Sequence, residues 1–297
     1  EFQPMTVAVS VVIPHYGAAD QTIDLLNDLA GQQDAGSLEV IVADDASPDP
    51  FPLAVATAYN ARLVRRESNG GFGSACNSGA EVACGDSLLF LNSDTRVGPR
   101  FIAELVASSM PFQPAVTGPA VMGHGEVVAT GRRWVSARHY AAEWSIPFRK
   151  LRAAKGLPLD TARVNAAVPG QVVPVDWLFG VALLIPTEAF RRVGGFDERF
   201  FMNCEEMDLQ RVLRRHGIPA VYAGTVTVTH AGGGSSDPAK RRAWVGQSRL
   251  HYAQKWGGPR ARRRLQAALT AATAANLVWN TGRRLAGRPV TPLATAR

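Results

Sequence analysis

Four acidic residues and one histidine stand where they could bind a divalent cation and accept a proton. Asp94 follows a short apolar run, and His230 ends a β-branched one. Glu205, Glu206 and Asp208 open a segment with helical spacing. Carboxylate oxygens and imidazole nitrogens bind Mg²⁺ or Mn²⁺, and a carboxylate can act as a general base. Each residue also has a plain structural explanation, as a turn former, a stabiliser of a helix N-terminus or a satisfied polar group, so both interpretations stay open.

The hydrophobic pattern of the N-terminal half predicts a scaffold that would bring such residues together. Nearly continuous apolar runs predict buried parallel strands, and apolar residues at helical spacing predict the helices between them. The strands are predicted in "TVAVSVVIP", "LEVIVADDASPD", "ARLVRRE" and "DSLLFLNSD", and the helices in "DQTIDLLNDLAGQQ", "GSACNSGAEVAC" and residues 101–109. This order indicates an open, doubly wound α/β sheet, whose ligands bind beyond the carboxyl ends of the strands. Asp44, Asp45 and Asp94 lie at those ends.

The C-terminal half is less regular. Mixed structure and loops are expected between residues 110 and 175, where the pattern weakens. "VDWLFGVALLIP" predicts a strand containing Gly180, and a helix from Thr187 should stop at Gly194. "EEMDLQRVLRRHG" predicts a helix with acids in its first turn and arginines in its last, which complements the helix dipole. "AVYAGTVTVTH" predicts a strand that ends at His230.

The usual phosphate-binding glycine motifs do not fit this chain. The first strand ends in Pro14-His15-Tyr16 rather than in G-x-G-x-x-G, and "GGFGSA" at 70–75 follows the wrong strand for a dinucleotide fingerprint. The sequence also contains no Walker A motif. A divalent cation held by carboxylates is therefore the expected means of neutralising a bound phosphate.

Composition and charge indicate a globular protein with a basic end. Of the 297 residues, 46% are hydrophobic and 19% are charged, which suits one large domain or two small ones. Three cysteines without a CxxC pair predict neither a disulfide framework nor a zinc site, and favour a reducing cytosol. The first residues lack the pattern of a signal peptide.

Residues 240–297 hold 13 of the 32 Lys and Arg and none of the 25 Asp and Glu. Such a segment can meet anionic lipid or nucleic acid, or simply be solvated. Nucleic-acid binding is not expected, because aromatics do not alternate with the arginines on a sheet face. The stretch "RARRRLQAALTAATAANLVWNTGRRLAG" predicts an Arg-flanked helix that either lies in a membrane interface or packs on the domain.

Six segments together carry a family resemblance over residues 7–235. They are "VSVVIPHY", "VIVADDASPD", "ESNGGFGSACNSGAEVACGDSLLFLNSD", "VDWLFGVALLI", "VGGFDERFFMNCEEMDLQRVLRRHG" and "VTHAGGGSS". In this order they resemble the inverting glycosyltransferases of family two, most closely the bacterial and actinobacterial rhamnosyltransferase-like members. The resemblance implies the GT-A fold, a Rossmann-like open mixed α/β sheet with flanking helices, here followed by a basic helical tail. The implied domains are 5–238, with a nucleotide-binding half (5–110) and an acceptor and catalytic half (111–238), and the tail 239–297.

The same resemblance implies roles for individual residues. Asp94 matches the metal-binding acid in an N-x-D form of the D-x-D motif, and His230 would complete the Mg²⁺ or Mn²⁺ site. The base would be Glu206 or Glu205, where the family usually reads Glu-Asp, and this departure leaves the choice between them open. Asp45 would bind the nucleobase. The other implied nucleotide-sugar contacts are Pro14, His15, Asn69, Gly71, Asn77, Asn92, Trp177 and Gly180, and Gly17 departs from a common Asn.

The implied activity is inverting, metal-dependent transfer of a sugar from a nucleotide donor to a hydroxyl group. The donor expected from the resemblance is dTDP-rhamnose, and the expected acceptor is an envelope glycan or a lipid-linked glycan. Alternatives are another nucleotide sugar, a soluble natural-product acceptor, or a non-catalytic protein that binds nucleotide sugars or glycans. The expected location is the cytoplasm, with peripheral contact at the inner face of the plasma membrane through the tail as one version, and a homodimer is left open.

Overall fold

The computed structural model describes residues 8–123, 125–157, 162–231 and 238–290. The chain forms two compact units. The sheet unit comprises the described parts of Glu1–Arg132 and Val164–Ser235, and the helical unit comprises those of Arg133–Arg163 and Ser236–Arg297. The sequence-based boundary between residues 238 and 239 stays a prediction.

The strands of the sheet unit are β1 (Val9–His15), β2 (Leu38–Asp44), β3 (Arg62–Arg65), β4 (Ser87–Leu91), β5 (Thr95–Val97), β6 (Val116–Gly123), β7 (Glu126–Val128), β8 (Gly131–Arg132), β9 (Val172–Val175), β10 (Trp177–Leu178), β11 (Ala182–Pro186) and β12 (Ala220–His230). Its helices are α1 (Asp20–Ala30), α2 (Leu53–Ala58), α3 (Phe72–Val82), α4 (Phe101–Ser109), α7 (Thr187–Arg192) and α8 (Glu205–Arg215). The helical unit contains α5 (Ala137–Trp144), α6 (Ile146–Ala154) and α9 (Pro238–Leu285).

One mixed sheet organises the first unit, in the order β3-β2-β1-β4-β11-β6-β12-β5. Strands β3, β2, β1 and β4 are parallel, as the sequence predicts. The core lies on both faces of the sheet: Leu88 and Phe90 of β4 join one apolar cluster, and Leu89 and Leu91 join the other. Each of these four side chains is fully buried, which stabilises the fold by about 2 kcal/mol per residue.

The sheet brings distant strand ends to a single edge. Strand β11 runs antiparallel to β4, β6 runs antiparallel to β11, and β12 is parallel to β6. The carboxyl end of β12 therefore lies at the same edge as those of β1, β2 and β4. This is the edge at which open α/β sheets bind ligands.

Two features of the sheet depart from the expectations. Residues 177–186 form two strands instead of one, because β10 pairs with β8 while β11 pairs with β4. Strand β6 occupies a central position in a region where loops and mixed structure were expected. Gly118 and Pro119 within this strand weaken its sequence signal, since both residues are uncommon inside strands.

The helical unit is built around α9, against which α5 and α6 pack. Gly258 interrupts α9 with a φ of 68° directly before Pro259. This break divides the helix into a first arm, residues 238–257, and a second arm, residues 259–285. The buried Asn276 side chain accepts from the Ile146 amide at 2.6 Å and donates to the Trp144 carbonyl at 2.8 Å, so it fixes the junction of α5 and α6. Across the described residues, none of the helices has the length and apolar character needed to cross a bilayer.

Candidate functional site

Asp94 and His230 meet at the carboxyl edge of the sheet. Asp94 lies in the turn between β4 and β5, and β5 then runs back antiparallel to β12 with Thr95 opposite His230. His230 Nε2 lies 3.1 Å from Asp94 Oδ1, and the Asp94 carbonyl accepts from the Ala231 amide at 3.0 Å. Asp94 is therefore both a turn residue and a member of a polar pair.

The donor atoms at this edge suit Mg²⁺ or Mn²⁺. Neighbouring ligands in an octahedron with bonds of about 2.1 Å are about 3 Å apart, which agrees with the 3.1 Å between Asp94 Oδ1 and His230 Nε2. Asn92 Oδ1, two residues earlier, is buried with no hydrogen-bond partner in the described structure. No three His, Cys, Asp or Glu side chains converge into a full ligand set within the described ranges. Any cation here would need further ligands from a substrate or water.

Glu205, which is buried, and Glu206, which is partly buried, are neighbours at the start of α8. The Oε2 atoms of both side chains are buried and lack a hydrogen-bond partner among the described residues. A Cβ added to Gly180 would lie 3.2 Å from the Cβ of Glu206, and one added to Gly73 would lie 3.7 Å from the Cβ of Glu205. The acid pair thus lies between the loop that enters β11 and the first turn of α3.

The pKa values of the two glutamates are raised to different extents. Burial, followed by the charge of Glu206, raises the pKa of the Glu205 carboxyl well above its ordinary value of 4.5. Burial also raises the pKa of Glu206, but only to about 6, because backbone hydrogen bonds oppose part of the effect of burial. Glu206 is therefore mostly ionised at neutral pH, while the larger rise at Glu205 favours its protonated form, so Glu206 is the better placed of the two to accept a proton.

Two strained residues precede this pair. Asn203 and Cys204 have φ values of 65° and 72°, a left-handed conformation that costs about 1 kcal/mol or more per non-glycine residue. Cys204 is the N-cap residue of α8 and its carbonyl accepts from the amide of Asp208, which is also buried. Strain of this kind at the entrance to a helix is typical of a functional site.

A second charged cluster links β2 to β3 at the same edge. Asp44 and Arg65 are paired in register and form an ion pair, and Asp45 pairs with Arg66 at 2.9 Å. Asp44 also accepts from the amides of Ser47 and Phe51. Burial acts to raise the pKa of Asp44, but these hydrogen bonds and the Arg65 charge outweigh it, so the pKa is lowered. The carboxylate therefore stays ionised and fixes the turn after β2.

Asp45 holds the loop that enters α3. Its two oxygens accept from the amides of Gly70 at 3.0 Å and Gly71 at 2.7 Å. Asn69 is exposed and its Oδ1 accepts from the same Gly71 amide at 3.2 Å. The partners found for Asp45 are thus protein groups, and the implied contact with a nucleobase stays a prediction.

His15 is buried at the end of β1. Its Nδ1 lies 2.8 Å from Thr22 Oγ1, while Nε2 is buried without a partner among the described groups. Burial lowers the pKa of His15, although the charge of Asp44 opposes this, so the ring is neutral at neutral pH. Pro14 precedes it in β1, opposite Ala43. The neutral ring at the carboxyl edge can serve as a hydrogen-bonding group toward a bound ligand.

Asn77 and Trp177 have structural contacts of their own. The Asn77 side chain exchanges two hydrogen bonds of 2.9 Å with the backbone of Phe196 and donates to Glu198 at 3.0 Å, which fastens the loop after α7. Trp177 is buried and contacts the Phe179 ring at a centroid distance of 5.6 Å. Their implied contacts with the nucleotide sugar stay predictions.

The family follows from comparison with known proteins. Residues 10–167 match the family model described as Glycosyl transferase family 2, which is more than half of the chain. This chain belongs to glycosyl transferase family 2. Asp94 lies inside the range that matches this family 2 model, whereas Glu206 and His230 lie beyond it.

This family 2 glycosyltransferase has curated relatives with different substrates. It is 32% identical over 224 residues to the N-acetylglucosaminyl-diphospho-decaprenol L-rhamnosyltransferase of Mycobacterium tuberculosis, covering 69% of this chain and 71% of the relative. It is also 32% identical over 251 residues to the validoxylamine A glucosyltransferase of Streptomyces hygroscopicus subsp. jinggangensis, covering 78% of this chain and 56% of that protein. The predicted kinship with rhamnosyltransferases is confirmed.

Solved structures confirm the predicted fold. The crystal structure of S. aureus TarS matches with a TM-score of 0.56 at 15% identity, over 91% of this chain and 44% of TarS. TarS 1-349 in complex with UDP matches with a TM-score of 0.54 at 15% identity, over 94% of this chain and 72% of that structure. The open mixed sheet with flanking helices agrees with the GT-A architecture expected for a family 2 glycosyltransferase.

Gln210 is a buried residue of α8, next to Glu206, that the sequence pattern did not reveal. Its Oε1 accepts from the Leu178 amide at 2.8 Å, and its Nε2 donates to the carbonyls of Leu178 and Glu206, both at 2.9 Å. The amide thus ties β10 to the first turn of α8. Its place on the buried face of α8, one turn after Glu206, is the sequence signal that could have drawn attention to it.

Proposed function

We propose that this chain is an inverting, metal-dependent glycosyltransferase that transfers L-rhamnose from dTDP-rhamnose to a hydroxyl of a lipid-linked or other envelope glycan. The sugar and the acceptor class rest on the 32% identity to the mycobacterial L-rhamnosyltransferase, whose own name specifies a diphospho-decaprenol acceptor. The cytoplasm is the proposed location.

The observation that carries the mechanism is the placement of Glu206 beside Glu205, between the loop that enters β11 and the first turn of α3, with the pKa of Glu206 raised to about 6 and that of Glu205 raised well above 4.5. Glu206 accepts the proton of the acceptor hydroxyl as that oxygen attacks the anomeric carbon. The bond to the nucleoside diphosphate breaks in the same displacement, so the anomeric configuration inverts. Gly180 has no side chain and so lets the loop that enters β11 pack closely against Glu206, because a Cβ there would lie 3.2 Å from the Glu206 Cβ.

Asp94 and His230 would hold Mg²⁺ or Mn²⁺ at the carboxyl ends of β4 and β12. When bound, this cation supplies positive charge for the donor diphosphate. The oxygen and nitrogen atoms 3.1 Å apart support this assignment. The neighbouring Asn92 Oδ1 would orient either the cation's water or a donor hydroxyl.

The identity to the validoxylamine A glucosyltransferase supports a second version of the same chemistry. It is equally high, at 32%, and it favours another nucleotide sugar together with a soluble natural-product acceptor. The non-catalytic alternative predicts a protein that binds the donor but never releases the nucleoside diphosphate.

A thermal-shift panel of dTDP-rhamnose, UDP-glucose, UDP-galactose and GDP-mannose, each with and without Mn²⁺, tests the proposal. A ligand at 100 times its Kd stabilises the native state by about 2.7 kcal/mol, so a Mn²⁺-dependent shift should identify one donor. Asp94→Ala should remove that shift. Asp86→Ala, which changes an exposed acid at the opposite end of β4, is the matched control.

The panel also separates the alternatives. A shift with UDP-glucose alone would favour the glucosyltransferase version. A donor shift without release of nucleoside diphosphate in the presence of a diphospho-polyprenol glycan or a soluble acceptor would favour the binding protein. An unchanged shift in Asp94→Ala would contradict the metal site.

A further inference from the structure

The second arm of α9 carries an exposed apolar face. Leu277, Val278 and Leu285 are 69%, 73% and 86% exposed, the highest values among the large hydrophobic residues described. Leu277 and Val278 lie about two turns before Leu285, so the three share one side of the helix. The residues one turn earlier and later, Ala274 and Thr281, are small and exposed as well.

A groove adjoins this face within the helical unit. It has a volume of about 630 Å³ and includes Leu250 of the first arm, Leu269 and Leu277 of the second arm, and Arg284. Most of the surface exposed inside it is apolar, although most of the residues that line it are polar. An apolar groove next to exposed leucines is a surface that would be covered in the working state of the protein.

The charged residues on the second arm of α9 are all positive. Arg262, Arg263 and Arg264 are exposed at the start of the second arm, and Arg284 and Arg288 are exposed at its end. No acidic residue occurs from residue 240 to the last residue of the sequence. The apolar face is thus bounded at both ends by groups that attract anions.

These charges decide between two occupants of the face. A second copy of the chain would bring arginines against arginines at both ends of the same surface, and like charges in contact oppose association. An anionic bilayer satisfies both features, because its headgroups are negative and its acyl region is apolar. The described helices do not cross a bilayer, so the arm would lie along the interface.

We propose that the second arm of α9 docks on an anionic membrane surface. Leu277, Val278 and Leu285 enter the boundary between headgroups and acyl chains, and the arginine clusters at 262–264 and 284–288 contact lipid phosphates. The proposal adds a membrane-docking surface to the proposed transfer of a sugar to a lipid-linked acceptor. Its test does not depend on that transfer, because membrane binding is measured without donor or acceptor.

Co-sedimentation of the full chain with vesicles tests this surface. The protein should bind phosphatidylcholine vesicles that contain phosphatidylglycerol, bind pure phosphatidylcholine weakly, and lose binding as salt is raised. The triple variant Leu277→Gln, Val278→Gln, Leu285→Gln should lower partitioning by about tenfold or more. Changing the arginines 262–264 to Gln should also weaken binding to the anionic vesicles.

A matched control changes three exposed apolar residues of the sheet unit: Leu53→Gln, Met110→Gln and Val128→Gln. This control should bind vesicles as the unchanged protein does, and circular dichroism checks that both triple variants are folded. Equal binding by both triple variants would show adsorption by charge alone and overturn the docking face. The absence of vesicle binding would overturn the docking face. A mass in light scattering that halves only in the helical triple variant would also overturn it, and would assign the face to self-association.

Discussion

The ionisation of Glu206 should set the acid limb of the pH–activity profile. Its pKa is raised to about 6 from an ordinary value of 4.5, because the carboxyl is buried. A base must be ionised to accept a proton, so activity should be present above this pKa and be lost as the pH falls through it.

The size of the effect follows from the fraction ionised. With a pKa of about 6, Glu206 is about 90% ionised at pH 7 and about 9% at pH 5, so kcat/KM should fall about tenfold between these values. With the ordinary pKa of 4.5, the same change in pH would lower kcat/KM by less than about twofold. Release of nucleoside diphosphate at low substrate concentration measures this ratio.

A matched variant assigns the limb to one residue. Burial and the charge of Glu206 raise the pKa of Glu205 and so favour its protonated form, which Gln resembles; Glu205→Gln should therefore keep most of the activity and keep the limb near pH 6. Glu206→Gln should abolish transfer while donor binding persists. A limb near pH 4.5 would refute the assigned environment of Glu206. A limb that disappears in Glu205→Gln would show that Glu205 is the base.

Two further substitutions test how the site is built. Gly71→Ala places a Cβ 1.9 Å from the Phe201 carbonyl oxygen at a φ of 87°, so urea denaturation should show a loss of about 3 kcal/mol or more in unfolding free energy. The control Gly194→Ala has a φ of 81° and open space around it, so it should lose only about 1–2 kcal/mol. Similar losses in the two variants would contradict the clash at Gly71. Gln210→Leu should cost about 2 kcal/mol or more and lower kcat, because it leaves buried backbone groups of β10 unpaired. The exposed Gln247→Leu should change unfolding by less than about 0.5 kcal/mol, and equal effects would mean that the Gln210 contacts contribute little.

The sequence was most informative where one local pattern determines one element. Buried parallel strands read as apolar runs, and α8 has acids at its start and arginines at its end, so these elements were predicted correctly. The family resemblance assigned Asp94 and His230 to one metal site, and the structure places their side chains 3.1 Å apart; the metal role stays a prediction.

The remaining features depend on long-range pairing. Strand β6 is stabilised by its neighbours β11 and β12 despite an internal Gly-Pro, and no local pattern reports those neighbours. The split between β10 and β11 follows from their having different partners. The ion pairs of Asp44 and Asp45 with Arg65 and Arg66 could have been found, because two acids and two arginines end adjacent parallel strands.

The loop before α3 has a consequence for which nucleotides the fold can accept. In dinucleotide-binding folds the backbone amides at such a helix entrance receive a pyrophosphate. Here Asp45 already supplies an anion to the amides of Gly70 and Gly71. The carboxylate of Asp45 takes the place that a phosphate would occupy, so these two amides are not available to bind a pyrophosphate.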